Sequence, residues 1–380
     1  MKCRTSCTLI TPLQVWCSIR LPLLHERGFL RTELLLGGQR VRFVADTGSI
    51  SFHAVGRCYF PDWCERYHYN CYDLSLDELE ALATGMVTFK NYSRSREEIR
   101  SMDGLVESTG SSGGFKTEMS FNVVVGALWK SGAGVWESGR GRPQASLGLG
   151  LPRRRSNTFL EQLTKSGIID EPVFTIKLPE TVAGHGELTL GELEPKKPSE
   201  RGALVYLPVG VDTLGVRKWS VMLSGISVRG NDQLPIDNFA TVDSGDPCLR
   251  GPPEQVEELI SYFIREANRM PREIVRRSKS GNYYWLLCDD AKYLPDLELK
   301  FTSDADSLHT LSIPGKLLSQ KFPGLEDKPE CHLRILKHAS SMWNLGMPLF
   351  RNRTIRFDAS EGKIGFVVDQ EKPSERSSDQ

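Results

Sequence analysis

At 380 residues the chain exceeds what one hydrophobic core organises and suits two lobes of roughly 150–190 residues each. An apolar content of 39% with 9% aromatics is that of a globular protein and excludes wholesale disorder. Basic and acidic residues balance at 48 each, so no net charge marks the chain for nucleic acid or a membrane surface.

Residues 1–27 read as an N-terminal extension of unclear role. Lys2 and Arg4 precede an apolar stretch from Cys7 to Leu24, which Pro12, Gln14, Arg20 and Pro22 interrupt. A secretory signal would need a continuous apolar core and a small-residue cleavage site. No run of about 18 apolar residues exists, so no transmembrane helix is expected. Short segments of β character follow: Thr32–Leu36, Val41–Ala45, Phe121–Val125, Phe174–Leu178, Glu187–Leu190, Val221–Val228, Tyr283–Leu287 and Lys363–Val368. They alternate or run apolar between Gly, Pro, Asn and Asp. Helical spacing predicts helices over Phe159–Ser166 and Glu254–Arg269, the second entered through Pro252-Pro253. Many short strands and few helices give an all-β chain of sandwich or barrel type. Glu192–Arg201, with Pro195 and Pro198 and little apolar content, is the expected boundary. The expected division is 28–194, 195–370 and a flexible tail 371–380. Arg153–Arg155 and Arg272–Lys279 read as solvated faces.

Nine cysteines leave at least one thiol without an intramolecular partner. Cys58, Cys64 and Cys71 stand close enough for one short-loop disulfide. No Cys/His array has zinc spacing, so no metal is expected, nor any cofactor. Asn91 and Asn352 open glycosylation sequons.

The informative feature is an internal repeat. One apolar strand enters Asp46-Thr47-Gly48-Ser49 and another enters Asp243-Ser244-Gly245-Asp246. Each is followed by an apolar segment with a Leu-Gly pair, Ala145–Gly150 and Trp343–Met347. Asp46 to Leu147 is 101 residues and Asp243 to Leu345 is 102. A lone Asp-Thr-Gly would read as a surface turn; the doubled two-part pattern reads as a duplicated lobe. Gly48 and Gly245 permit sharp, closely approaching loops. Thr47 and Ser244 carry small hydroxyls able to bond across a two-fold axis. Two carboxylates brought face to face cannot both ionise, so they share a proton at acidic pH, an effect for which aspartic proteases are a standard example. One then serves as general base on a water, the other as acid to a scissile carbonyl.

These residues resemble the pepsin-like aspartic peptidases over about Leu30 to Val368. Leu147–Gly150, Phe159–Leu163 with Gly167–Phe174, Gly186–Gly191, Trp219–Ile226, Leu345–Asn352 and Phe357–Phe366 are similar to family segments in the family's order. The resemblance implies two pseudo-symmetric β-barrel-like lobes with a central cleft for an extended peptide. It implies an aspartic endopeptidase acting through Asp46 and Asp243, a monomer, and passage through the secretory pathway, although no clear signal peptide or propeptide is legible. It places a second-lobe disulfide at Cys288 and Cys331, whose closure contributes about 4 kcal/mol in the chain-entropy account.

Three departures bear on function. Where the family has a hydroxyl residue supporting the second acid, Asp246 stands, while Ser49 supplies the first-lobe counterpart. A third carboxylate there should raise the pKa values of the cluster or itself be protonated. The flap hairpin aligns with Ile99–Gly104, making Ser101, Asp103 and Gly104 its candidates and leaving Ser101 where the family has tyrosine; Tyr92 is an alternative from the preceding loop. His53 replaces the tryptophan that partners that tyrosine, and Ser108–Gly114 reads as a mobile tip. The alternative function is a catalytically impaired pepsin-fold protein acting as a binding or accessory protein.

Overall fold

The computed structural model describes residues 8–11, 14–16, 18–26, 28–66, 71–84, 87–91, 95–108, 114–130, 136–138, 143–152, 156–179, 185–191, 203–211, 216–228, 232–269, 272–278, 283–303, 307–321 and 327–368. The expected boundary at 192–201, Tyr92, most of the 108–114 segment, the 153–155 cluster and the tail 371–380 lie outside them.

The strands that position the site begin with β1 (Ile19–Glu26), β2 (Phe29–Leu36), β3 (Gln39–Asp46) and β4 (Phe52–Val55). Then come β5 (Val87–Asn91), β6 (Ser95–Ser108), β7 (Lys116–Lys130), β8 (Ser146–Gly148), β9 (Val173–Lys177) and β10 (Gly186–Leu190). The second half contributes β11 (Ala203–Pro208), β12 (Ser220–Val228), β13 (Asp232–Val242), β14 (Leu249–Gly251), β15 (Leu297–Thr302) and β16 (Leu308–Ile313). It closes with β17 (Ile335–Lys337), β18 (Trp343–Leu345), β19 (Thr354–Asp358) and β20 (Lys363–Val368).

One large sheet runs β11-β20-β19-β9-β10-β1-β2-β3-β8-β4-β7-β6-β5, and a second runs β16-β15-β12-β13-β18-β14-β17. The first six strands of the large sheet join the two halves of the chain, three from the second half beside three from the first, where β9 pairs with β19 from Val173↔Asp358 to Lys177↔Thr354. The protein is an all-β molecule of two barrel-like lobes, as the strand pattern and the family resemblance imply.

Part of the extension expected at 1–27 is built into this sheet. β1 lies between β10 and β2, with Ile19, Leu21 and Leu23 buried and Arg20 and Pro22 exposed. The period of two marks a strand with one face on the core; Arg20 and Pro22, which interrupt the apolar run there, are its outward residues. The segment from residue 19 therefore belongs to the lobe.

Helix α1 (Phe159–Lys165) is stopped at its start by a capping box: Glu161 N–H donates to the Thr158 hydroxyl, and the Glu161 carboxylate accepts from Thr158 N–H. It buries Phe159, Leu160 and Leu163, with the Phe159 ring 5.2 Å from that of Phe52. Helix α2 (Pro253–Ala267) opens on proline and buries Val256, Leu259, Ile260, Phe263 and Ala267, a stripe at three- and four-residue spacing.

The repeat is visible in the pairing. In the first lobe β8 runs parallel to β3, with Gly148 beside Asp46, and antiparallel to β4, with Ser146 beside His53. In the second, β18 runs parallel to β13, with Leu345 beside Val242, and antiparallel to β14, with Asn344 beside Arg250. Ser146 and Asn344 thus occupy the same place in two copies of one three-strand unit.

Candidate active site

β3 and β13 each end in a loop carrying one acid. Thr47 N–H donates to the Ser244 hydroxyl at 3.1 Å, and Ser244 N–H donates to the Thr47 hydroxyl at 2.9 Å. The hydroxyls in turn donate across the axis, Thr47 to Val242 O at 2.8 Å and Ser244 to Ala45 O at 2.6 Å. Both residues are buried, so each bond is made away from competing water.

The glycines decide how closely the loops meet. A Cβ on Gly48 would stand 2.6 Å from the Asp243 carboxyl, and one on Gly245 would collide with the Asp46 carboxyl. Each acid therefore lies over the opposite loop, in space only glycine leaves. Each is also held by its own loop: Gly48 N–H donates to Asp46 Oδ1 at 3.0 Å and Gly245 N–H to Asp243 Oδ1 at 2.9 Å. On the other oxygens, Ser146 Oγ donates to Asp46 Oδ2 at 3.4 Å and Asn344 Nδ2 donates to Asp243 Oδ2 at 2.9 Å. Ser49 Oγ accepts from Ser51 N–H at 3.2 Å.

Asp246 is drawn to one side of the pair. Its Oδ1 accepts from Cys248 N–H at 2.9 Å; its Oδ2 accepts from Arg250 Nε at 2.7 Å and from Asn344 Nδ2 at 2.9 Å. Its charge still acts on its neighbour. Burial, then Asp46, then Asp246 push the Asp243 carboxyl from 3.8 up to about 7, against the donors Asn344 and Gly245 N–H. An acid so raised carries its proton through the whole acidic range.

The flap expectation is corrected. The hairpin in this region is β5–β6, paired from Val87↔Arg100 to Asn91↔Arg96; residues 92–94, which join the two strands, lie outside the described set. Ser101, Asp103 and Gly104 lie mid-strand in β6, opposite Asn122, Ser120 and Met119 of β7. The Asp103 carboxylate accepts from the Ser120 hydroxyl, and the Gly104 face is filled by the Phe121 ring. The β6–β7 ladder runs in regular register from Ile99 to Glu107 and leaves no tip at those residues. His53 is fully buried, with Nδ1 3.0 Å from Ser51 Oγ and Nε2 2.9 Å from Gln144 O. A carbonyl only accepts, so Nε2 carries a proton. Glu97, also buried, places Oε2 3.8 Å from that nitrogen.

The two halves meet again beside the first loop. A pocket there is lined by Thr47, Gly48 and Ile50 on one side and Arg217, Lys218 and Trp219 on the other. Trp219 is buried, packs edge-on against Phe174 and Phe357, and donates its indole N–H to Leu149 O at 2.7 Å. Cys288 and Cys331 form a disulfide with Cα atoms 5.0 Å apart, and Cys64 pairs with Cys71. Cys58 is free and exposed; Cys248 is free and buried. Among the described residues no cluster of His, Cys, Asp and Glu is arranged to hold a metal, and no helix is long and apolar enough to cross a membrane. Asn352 sits at positive φ, in the turn before β19. Sequence reasoning missed Ser146, Arg250 and Asn344. Their one signal was a polar residue just before each Leu-Gly pair and, for Arg250, its place seven residues after the motif aspartate.

Residues 140–368 match the family model described as eukaryotic aspartyl protease. The span holds Asp243 and its loop; Asp46 lies upstream, tied to the matched part by the strand pairings above. A protein described as "Aspartic protease" from Phaffia rhodozyma is 23% identical over 223 residues, which are 58% of this chain and 50% of that protein. The alignment thus spans half the length of that curated relative. With the family model matching well over half the chain, and with the paired loops in place, the chain belongs to the eukaryotic aspartyl protease family.

Proposed function

We propose that the protein is an aspartic-type endopeptidase that hydrolyses peptide bonds at acidic pH through a water activated between Asp46 and Asp243. The observation that carries this reading is the two-fold clasp of the loops, which sets each carboxylate over the other's glycine. Asp243, raised to about 7, is protonated in acid and donates to the scissile carbonyl oxygen, while Asp46 takes the proton of the attacking water. The substrate is an extended peptide lying between a first lobe, which takes in the chain from residue 19 to 194, and a second, 195–370, and the protein works as a monomer. Thr47, Gly48, Ser49, Ser244 and Gly245 hold the dyad.

The test is cleavage of a denatured protein across pH 2–7. Cleavage should be blocked by a statine-type inhibitor and abolished in Asp46→Asn and Asp243→Asn. Absence of cleavage over that whole range would refute the proposal.

One observation favours a second reading, a pepsin-fold binding or accessory protein. A third carboxylate, Asp246, stands where a neutral donor would support the dyad. If the parent is inactive and Asp246→Thr cleaves, this second reading holds.

A further inference from the structure

We propose that Ser146 and Asn344 are a matched pair of positioning residues, one for each acid, and that Asn344 is what allows Asp246 to stand beside Asp243. This deepens the endopeptidase reading and rests on it. The two residues hold the same register in the two copies of the three-strand unit, each next to the strand that delivers the acid. Each donates to the Oδ2 of its own lobe's acid, and the Oδ1 of that acid accepts a loop glycine N–H. Donors on both oxygens fix the rotation of the carboxyl plane, so the inner faces of the two acids meet in one geometry.

The difference between the copies explains the difference in residue type. A serine hydroxyl has one proton to give; an asparagine amide has two on one nitrogen. In the first lobe one acid needs support, and Ser146 serves it. In the second, Asn344 Nδ2 serves two acceptors, Asp243 Oδ2 and Asp246 Oδ2, each at 2.9 Å. The rest of the second-lobe set changes with it. Ser49, His53 and Ser146 in the first lobe correspond to Asp246, Arg250 and Asn344 in the second, and Arg250 Nε pairs with Asp246 at 2.7 Å. Three substitutions at matched places form one bonded unit, Arg250–Asp246–Asn344–Asp243.

The unit sets opposing electrostatic influences on Asp243. The Asn344 N–H favours the ionised form; the charges of Asp246, on the same loop, and Asp46, from the other lobe, disfavour it. Arg250 on β14 offsets part of the Asp246 charge, and Arg334 stands behind it against Cys248. Removing the donor and removing the third charge should therefore move Asp243 in opposite directions.

The experiment is a carboxyl carbon NMR titration of protein labelled at aspartate, with resonances assigned by Asp→Asn variants. Asn344→Leu should raise the Asp243 midpoint by about one pH unit, the scale of a lost hydrogen bond to a charged group. Asp246→Asn should lower it. Asn344→Ser, which copies the first lobe and spares the fold if leucine does not, should fall between Asn344→Leu and the parent. An unmoved or lowered midpoint in Asn344→Leu, or equal midpoints in the serine and leucine variants, overturns the proposal. The titration needs no turnover. Shifted midpoints in a protein that cleaves nothing would sustain the bonded unit and sink the endopeptidase reading. Unmoved midpoints in an active enzyme would do the reverse. In an active enzyme, the alkaline limb of kcat against pH should move with the midpoint in each variant.

Discussion

Replacing Asp243 by asparagine should change how stability depends on pH far more than it changes packing. The folded protein holds this carboxyl at about 7, against 3.8 for an unperturbed group. Below about pH 4 both folded and unfolded chains carry the proton, and the group is neutral toward folding. Between about 4 and 7 the unfolded chain has released it and the folded protein has not, so stability falls as pH rises through that window. About three pH units at about 1.4 kcal/mol each come to about 4 kcal/mol, a large share of an ordinary domain's total stability. The amide of the Asp243→Asn variant does not titrate, so the variant lacks this slope. Urea unfolding at steps from about pH 4 to about pH 8 gives the free energy of each protein. The variant should gain on the parent by about 4 kcal/mol across the window, and groups that do not interact with Asp243 cancel in the difference. Parallel curves would refute the claim that burial and two neighbouring acids hold Asp243 protonated.

Two further outcomes are expected. Gly245→Ala places a methyl on the Asp46 carboxyl; it should abolish cleavage and lower the urea midpoint, whereas Gly38→Ala, where nothing lies within 4 Å, should cost only the strain of its positive φ. Burial, then Arg351 and Arg334, depress the His25 imidazole from 6.5 to about 3. The folded protein keeps it neutral while the unfolded chain takes a proton, so stability is lost as pH falls from about 6.5 toward 3. His25→Gln should remove up to about 5 kcal/mol of that acid sensitivity, read as a higher urea midpoint relative to the parent at about pH 4 than at about pH 7.

The doubled motif was legible because it is local. Asp-Thr-Gly and Asp-Ser-Gly each follow an apolar strand, and near-equal spacing to a Leu-Gly pair exposes the repeat without knowledge of any contact. The two helices were legible for the same reason, since their buried faces follow from spacing alone. β1 was hidden because a strand with Pro22 and Arg20 facing outward resembles a broken apolar run until its partners are known. The hairpin turn was misplaced because the similarity used around Ile99–Gly104 says nothing about where the β6–β7 ladder stops. Asn344 was invisible as a site residue for a different reason. Its two acceptors lie 101 and 98 residues away in sequence, and only folding brings them to one amide.

The four hydrogen bonds around Thr47 and Ser244 all run from one half of the chain to the other. Neither half can complete them alone, and a separated half would expose a hydroxyl and a backbone N–H that were buried. The paired-loop site is therefore in effect a dimer interface carried within one polypeptide. Its assembly is as fast and as independent of concentration as any intramolecular step, because the tether supplies the effective concentration that two free halves would lack.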